Sequence, residues 1–148
     1  MALIIPDAIP SKASQGEQLL FKILSTQLPD NFIVWYEPRI KDLYPDFIIL
    51  GPDFGLLILE VKGWYASQVA RGNNNFFDIR WKQNNIVKIE TYQHPLKQGH
   101  GYFGSVADQL KGYPILCNPD GNYQGQSLTP LAGGNYQSTG RSGMRVRP

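Results

Sequence analysis

Asp46, Glu60 and Lys62 are the residues of this chain whose types and spacing suit the binding of a hard divalent cation. They lie in a stretch that reads Tyr-Pro-Asp-Phe-Ile-Ile-Leu, then Gly-Pro-Asp-Phe-Gly, then Leu-Leu-Ile-Leu-Glu-Val-Lys, from Tyr44 to Lys62. Two β-branched and aliphatic runs around turn-forming residues predict a β-hairpin. With the loop at Gly51 to Gly55, Leu50 pairs with Leu56, Ile48 with Ile58, and Asp46 falls opposite Glu60. Facing residues of an antiparallel pair are about 4.5–5.5 Å apart at Cβ, where two carboxylates repel. A hard divalent cation that prefers oxygen ligands, such as Mg²⁺ or Mn²⁺, would offset that repulsion. The competing reading is a strand end fraying into water, where charged residues are ordinary.

Alternation along a strand puts Glu60 and Lys62 on one face with Asp46, and Phe47, Ile49, Leu57, Leu59 and Val61 on the other. That second face is wholly apolar. Towards the turn the first face becomes apolar too, so the hairpin is expected to be covered on both sides.

The elements around it follow from periodicity and caps. Ser14 to Glu17 has capping-box spacing ahead of Leu20, Phe21, Ile23, Leu24 and Leu28, predicting a helix from Gln15 to Leu28. Glu17 is therefore expected to cap its helix. Phe32 to Glu37 reads as a strand, and Leu3-Ile4-Ile5 as an edge strand or a packed arm. Arg71 to Asn75 is a turn by composition, after which Phe76–Lys82 and Ile86–Glu90 form a second hairpin around Asn84-Asn85. Phe77, Trp81, Trp64 and Tyr65 are weighted toward packing, with Trp64 and Tyr65 better placed than the others to meet nucleic acid. Pro95 opens a late helix that runs to Lys111, closed by Gly112, and Gln98 sits one turn in. Pro114 to Cys117 could begin another strand. Residues 118 to 148 are rich in Gly, Asn, Gln and Ser, so a disordered tail that supplies no strand is expected. The change in composition fits equally a natural tail, a truncated product or a shifted reading frame.

Pro45-Asp46 followed by Glu60-Val61-Lys62 resembles the PD-(D/E)xK nuclease motif. Its setting resembles the nuclease-related domain family, NERD. Glu17 in the first helix, Gly63-Trp64 after the lysine and His94-Pro95-Leu96-Lys97-Gln98 opening the late helix fit the same pattern, over about residues 14 to 112. The family more often has Asn-Pro where this chain has His94-Pro95. The resemblance implies an α/β (α+β) fold, a restriction-endonuclease-like mixed sheet with a central antiparallel hairpin flanked by helices, over residues 1–116, with 117–148 as the tail. It implies a metal-dependent nuclease acting on DNA, with RNA not excluded as substrate. Asp46, Glu60 and the Val61 carbonyl would hold Mg²⁺ or Mn²⁺, Lys62 would assist attack by water, and Glu17 and Gln98 would position water or backbone. The alternative is a catalytically inactive module that binds nucleic acid or protein, or a fragment of a larger DNA-processing protein with a helicase-type partner.

Charge and composition bound these readings. The 148-residue chain carries a net charge of +2, and residues 1–116 balance 11 Lys and Arg against 11 Asp and Glu. Any attraction for phosphate must then be local rather than global. Cys117 is the one cysteine, which excludes an intrachain disulfide and a cysteine zinc site. No apolar run approaches the roughly 18 residues that cross a bilayer, and Met1 to Pro10 lacks the pattern of a signal peptide. A cytoplasmic chain is expected, with no membrane partner.

Overall fold

The computed structural model describes residues 1–119, residue 124 and the backbone of residues 131–137. Its centre is the hairpin of β3 (Phe47–Gly51) and β4 (Gly55–Lys62), in the expected register, with Leu50 opposite Leu56 and Ile48 opposite Ile58. Gly55 closes the turn at φ 76°, a conformation that costs glycine little and other residues much. On the β3 side, β2 (Ile33–Tyr36) pairs antiparallel, and β1 (Leu3–Ile5) adds to β2 in parallel as the edge.

Beyond β4, residues Leu131–Gln137 form β8, parallel to β4 from Leu56↔Leu131 to Lys62↔Gln137. This corrects the expectation that the Gly- and Asn-rich segment supplies no strand. Parallel pairing uses backbone groups, so Gly133 and Gly134 can take part without any apolar periodicity to announce it. The rest of the expected tail, residues 120–123, 125–130 and 138–148, lies outside the described residues.

A helix covers each face of this mixed sheet. α1 (Gln15–Gln27) begins with the reciprocal cap: Ser14 Oγ accepts from Glu17 N–H, and Glu17 Oε2 accepts from Ser14 N–H, both at 3.3 Å. Its Leu20 and Leu24 bury against Val34, Tyr36, Phe47, Ile49, Leu59 and Val61. Gly16 makes the close approach possible, since a Cβ there would meet Val61 Cγ1 at 2.9 Å. α2 (Pro95–Lys111) packs Tyr102 and Val106 on Ile48, Leu56 and Ile58 from the other side. Both faces of the hairpin are thus dry, and its charged end is the exception.

Between β4 and α2 the chain builds a separate antiparallel sheet, β5 (Val69–Gly72), β6 (Phe76–Gln83) and β7 (Ile86–Gln93). Asn84 and Asn85 turn the β6–β7 hairpin at φ 49° and 62°, the left-handed pair that a two-residue loop demands. The expected turn at 71–75 is shorter. Arg71 and Gly72 belong to β5, and Asn73 Oδ1 bends the remainder by accepting from Asn75 and Phe76 N–H. Pro114–Leu116 is a single 3₁₀ turn rather than a strand, because Leu116 and Cys117 donate back to Tyr113 and Pro114. No helix among the described residues is long and apolar enough to cross a membrane.

Candidate active site

At the C-terminal end of β4 the ladder with β3 stops at Phe47↔Leu59, and the next residue of the partner strand is Asp46. There a side chain replaces the missing backbone bond: Asp46 Oδ2 accepts from Val61 N–H at 2.5 Å. The N–H and C=O of a strand residue project to the same edge, so the Val61 carbonyl is aimed to the Asp46 side as well. The Val61 side chain is meanwhile buried under α1, which fixes the strand.

Glu60 and Lys62 alternate to the opposite face, beneath α2. Glu60 is 5% exposed, and its Oε1 takes the Lys62 ammonium at 2.7 Å and the Gln98 amide N–H at 2.5 Å. Gln98 Oε1 accepts a second bond from Lys62 at 2.8 Å. Its amide also donates to Tyr102 Oη at 2.9 Å, so one glutamine ties together lysine, glutamate and tyrosine. Glu60 Oε2 is buried and has no hydrogen-bond partner among the described residues. A buried carboxylate oxygen left bare is costly unless something else binds it.

Glu17 lies across the sheet, on the α1 side. Besides its cap it accepts from Tyr36 Oη at 2.8 Å, and its charge acts on Asp46. Burial pushes the Asp46 carboxyl up to about 7; the Val61 N–H and the Lys62 charge oppose this, while Glu60 and Glu17 add to it. Tyr36, desolvated and bonded to Glu17, is pushed above its ordinary range, and burial moves Tyr102 in the same direction.

Asp46, Glu60, Val61, Lys62 and Gln98 are therefore brought together, whereas Glu17 borders the group from the other face. Among the described residues no three His, Cys, Asp or Glu side chains converge as metal ligands. Tyr36 and Tyr102 are the site residues that pattern reading missed, because each counts as a core aromatic. For Tyr102 a signal existed: it follows Gln98 by four residues, the spacing that puts two side chains on one helix face.

A family model described as nuclease-related domain, NERD, matches residues 12–123. The chain belongs to the nuclease-related domain family. No curated protein and no solved structure matches it. The NERD match takes in every site residue named above together with the small sheet β5–β7, and β8 lies beyond it.

Other NERD residues singled out in the sequence have structural work. His94 departs from the expected Asn yet still caps α2, its Nδ1 accepting from Leu96 N–H at 3.1 Å, and it stacks on Phe77 at 4.8 Å. Trp64 is buried against Tyr92, with ring centroids 5.0 Å apart, while Tyr65 is exposed. An apolar cleft of about 250 Å³ between α2 and the sheet, lined by Trp35, Ile48, Leu56, Val106 and Leu110 among others, contains none of the site residues.

Proposed function

We propose that this chain is a metal-dependent nuclease that hydrolyses phosphodiester bonds in DNA. The observation that carries the reading is Glu60 Oε2, a buried oxygen without a partner among the described residues, beside a second carboxylate whose pKa is raised by burial. That all-oxygen donor set fits a hard divalent cation, with Asp46, Glu60 and the Val61 carbonyl as its protein ligands. When bound, Mg²⁺, or Mn²⁺ in its place, supplies Lewis acidity to the phosphate and makes water more acidic.

The chain's own residues supply the rest. Lys62 has three N–H donors; two are held by Glu60 and Gln98, which leaves one for a non-bridging phosphate oxygen. It stabilises the charge that grows there as water attacks phosphorus and the ester bond breaks. Gln98 fixes the lysine against the glutamate, and Tyr102 fixes Gln98. Glu17, held by Tyr36, orients water from the α1 side.

A second reading has its own observation. In this geometry Lys62 already neutralises one oxygen of Glu60, as it would in a NERD domain that binds nucleic acid or protein without cutting. Calorimetric titration of Mg²⁺ and Mn²⁺ into the protein and into Asp46→Ala, followed by cleavage of labelled DNA, separates the two. Binding that the substitution removes, with cleavage lost alongside, supports the nuclease. A folded protein that takes up neither ion, with or without oligonucleotide, is the inactive module.

A further inference from the structure

The two faces of the β5–β7 sheet differ in charge. One face carries Phe77, Ile79 and Trp81 on β6, paired with Tyr92, Glu90 and Lys88 on β7. It is the anchored face: Ile79 is fully buried, Tyr92 packs on Trp64, and Lys88 and Glu90 neutralise each other. The other face carries Asp78, Arg80 and Lys82, paired with Thr91, Ile89 and Val87, with Arg71 beside Asp78. Its one carboxylate, Asp78, is buried beneath Arg71 and Thr91, whereas Arg80 and Lys82 are exposed and pair with no carboxylate among the described residues. Val87 and Ile89 are more than half exposed beside them.

The sheet is also placed to matter. It lies within the excursion of the chain between Lys62 and Gln98, whose side chains bond at 2.8 Å, so its base is fastened to the candidate active site. From Phe76 at that base, Arg80 and Lys82 lie about 13–20 Å out along β6.

The geometry points to this outer face as a docking surface for the phosphate backbone of a nucleic-acid duplex beyond the scissile bond, with Arg80 and Lys82 as its contacts. The ligand class follows from the nuclease reading and from the uncompensated positive charge. Duplex is favoured over single strand by what flanks the cations: aliphatic Val87 and Ile89, and Phe76 with the Arg71 guanidinium 5.4 Å from its ring, offer bases no open stacking platform.

The test is fluorescence anisotropy with a labelled DNA duplex of about two helical turns, in chelator, over a salt series. Arg80→Ala with Lys82→Ala is compared with the unaltered chain and with Lys88→Ala on the anchored face, all checked for an unchanged Tm. The double variant should bind duplex more weakly and lower the slope of log affinity against log salt by about 1.8, the loss of two phosphate contacts. Lys88→Ala should leave the slope alone. An unchanged slope in the double variant, an equal effect of Lys88→Ala, or no duplex binding by the unaltered chain overturns the surface. So does dimerisation that Ile89→Asp abolishes while the slope stays unchanged, which would give the face to a second copy of the chain. Cleavage is scored separately with Mg²⁺: binding without cutting sinks the nuclease reading while the slope still decides the surface, and cutting with an unchanged slope does the reverse.

Discussion

Asp78 on the small sheet and the pair Asp46 and Glu60 on the main sheet are acidic groups shielded from water, and the chain surrounds them in opposite ways. Asp78 accepts from Thr91 Oγ at 2.7 Å and from Arg71 Nε at 3.0 Å, with a second guanidinium nitrogen at 2.9 Å. The Thr91 hydroxyl first, then Arg71, holds its carboxyl below the usual range. At the other cluster one Glu60 oxygen has no partner among the described residues, and Asp46 is pushed up to about 7. Both clusters contain a cation, so the presence of charge does not separate them. Saturation does: a carboxylate with donors on both oxygens needs no further partner, and one with a bare oxygen has room for a ligand.

The comparison breaks most sharply at Asp46 and Lys62. Asp46→Asn and Lys62→Ala should each lower DNA cleavage by about 10²–10³-fold or more, the scale for a lost transition-state contact, with the far-ultraviolet spectrum unchanged. Asp46→Asn should also abolish the rise in Tm that Mg²⁺ gives the unaltered chain. Asp78→Asn should leave Mg²⁺ binding intact and lower Tm instead. Equal loss of metal binding in Asp46→Asn and Asp78→Asn would erase the distinction between the clusters. Next in size is Gln98→Ala, which removes the link between Lys62, Glu60 and Tyr102. Cleavage should drop about 10–100-fold, as for other residues that orient a ligand through hydrogen bonds, and Gln98→Glu should not restore it.

Titration sharpens the same contrast. A protonated carboxyl does not bind a cation, so Mg²⁺ affinity should fall about tenfold per pH unit as pH drops below the Asp46 value of about 7. In stability the sign is reversed. With the folded-state pKa raised, Asp46 favours folding most fully below the ordinary aspartate range, and that contribution is lost as pH climbs to about 7. Thermal melts in chelator should show Asp46→Asn gaining on the unaltered chain across that window. A constant difference between the two at every pH contradicts the desolvated state of Asp46.

The sequence made the hairpin readable because two independent signals agree there. Loop composition fixes where the chain turns, and the face pattern fixes register, so Asp46, Glu60 and Lys62 could be placed without a structure. The cap at Ser14 and Glu17 and the start of α2 at Pro95 were legible for the same local reason. What could not be read depends on distance along the chain. Gln98 entered the expected site only through the family resemblance, because its bond to Glu60 spans 38 residues; Tyr36 meets Glu17 across 19, and no period encodes such contacts. Periodicity also tells which side of a strand is apolar without telling which sheet the strand joins, so β6 and β7 were found but not their separation from β1–β4. β8 was missed because its pairing is made by backbone groups, which every sequence has.

The smallest effect tests whether saturation itself marks the structural cluster. Thr91 is exposed and lies opposite Asp78 on the outer face, away from the site. Thr91→Val keeps the shape and the β-branched backbone preference while removing the shortest bond to the carboxylate. Arg71 remains, so the expected loss is a small drop in Tm that is fully present above the ordinary aspartate range and shrinks as pH falls through it. This direction follows from the lowered pKa: the contribution is present above the ordinary aspartate value and is lost as pH falls through the folded one. Mg²⁺ binding should not change in either direction. If Thr91→Val instead lets Mg²⁺ bind at Asp78, then an unfilled acceptor is enough to make a metal site on this chain, and the bare oxygen of Glu60 loses its weight as evidence for a nuclease centre.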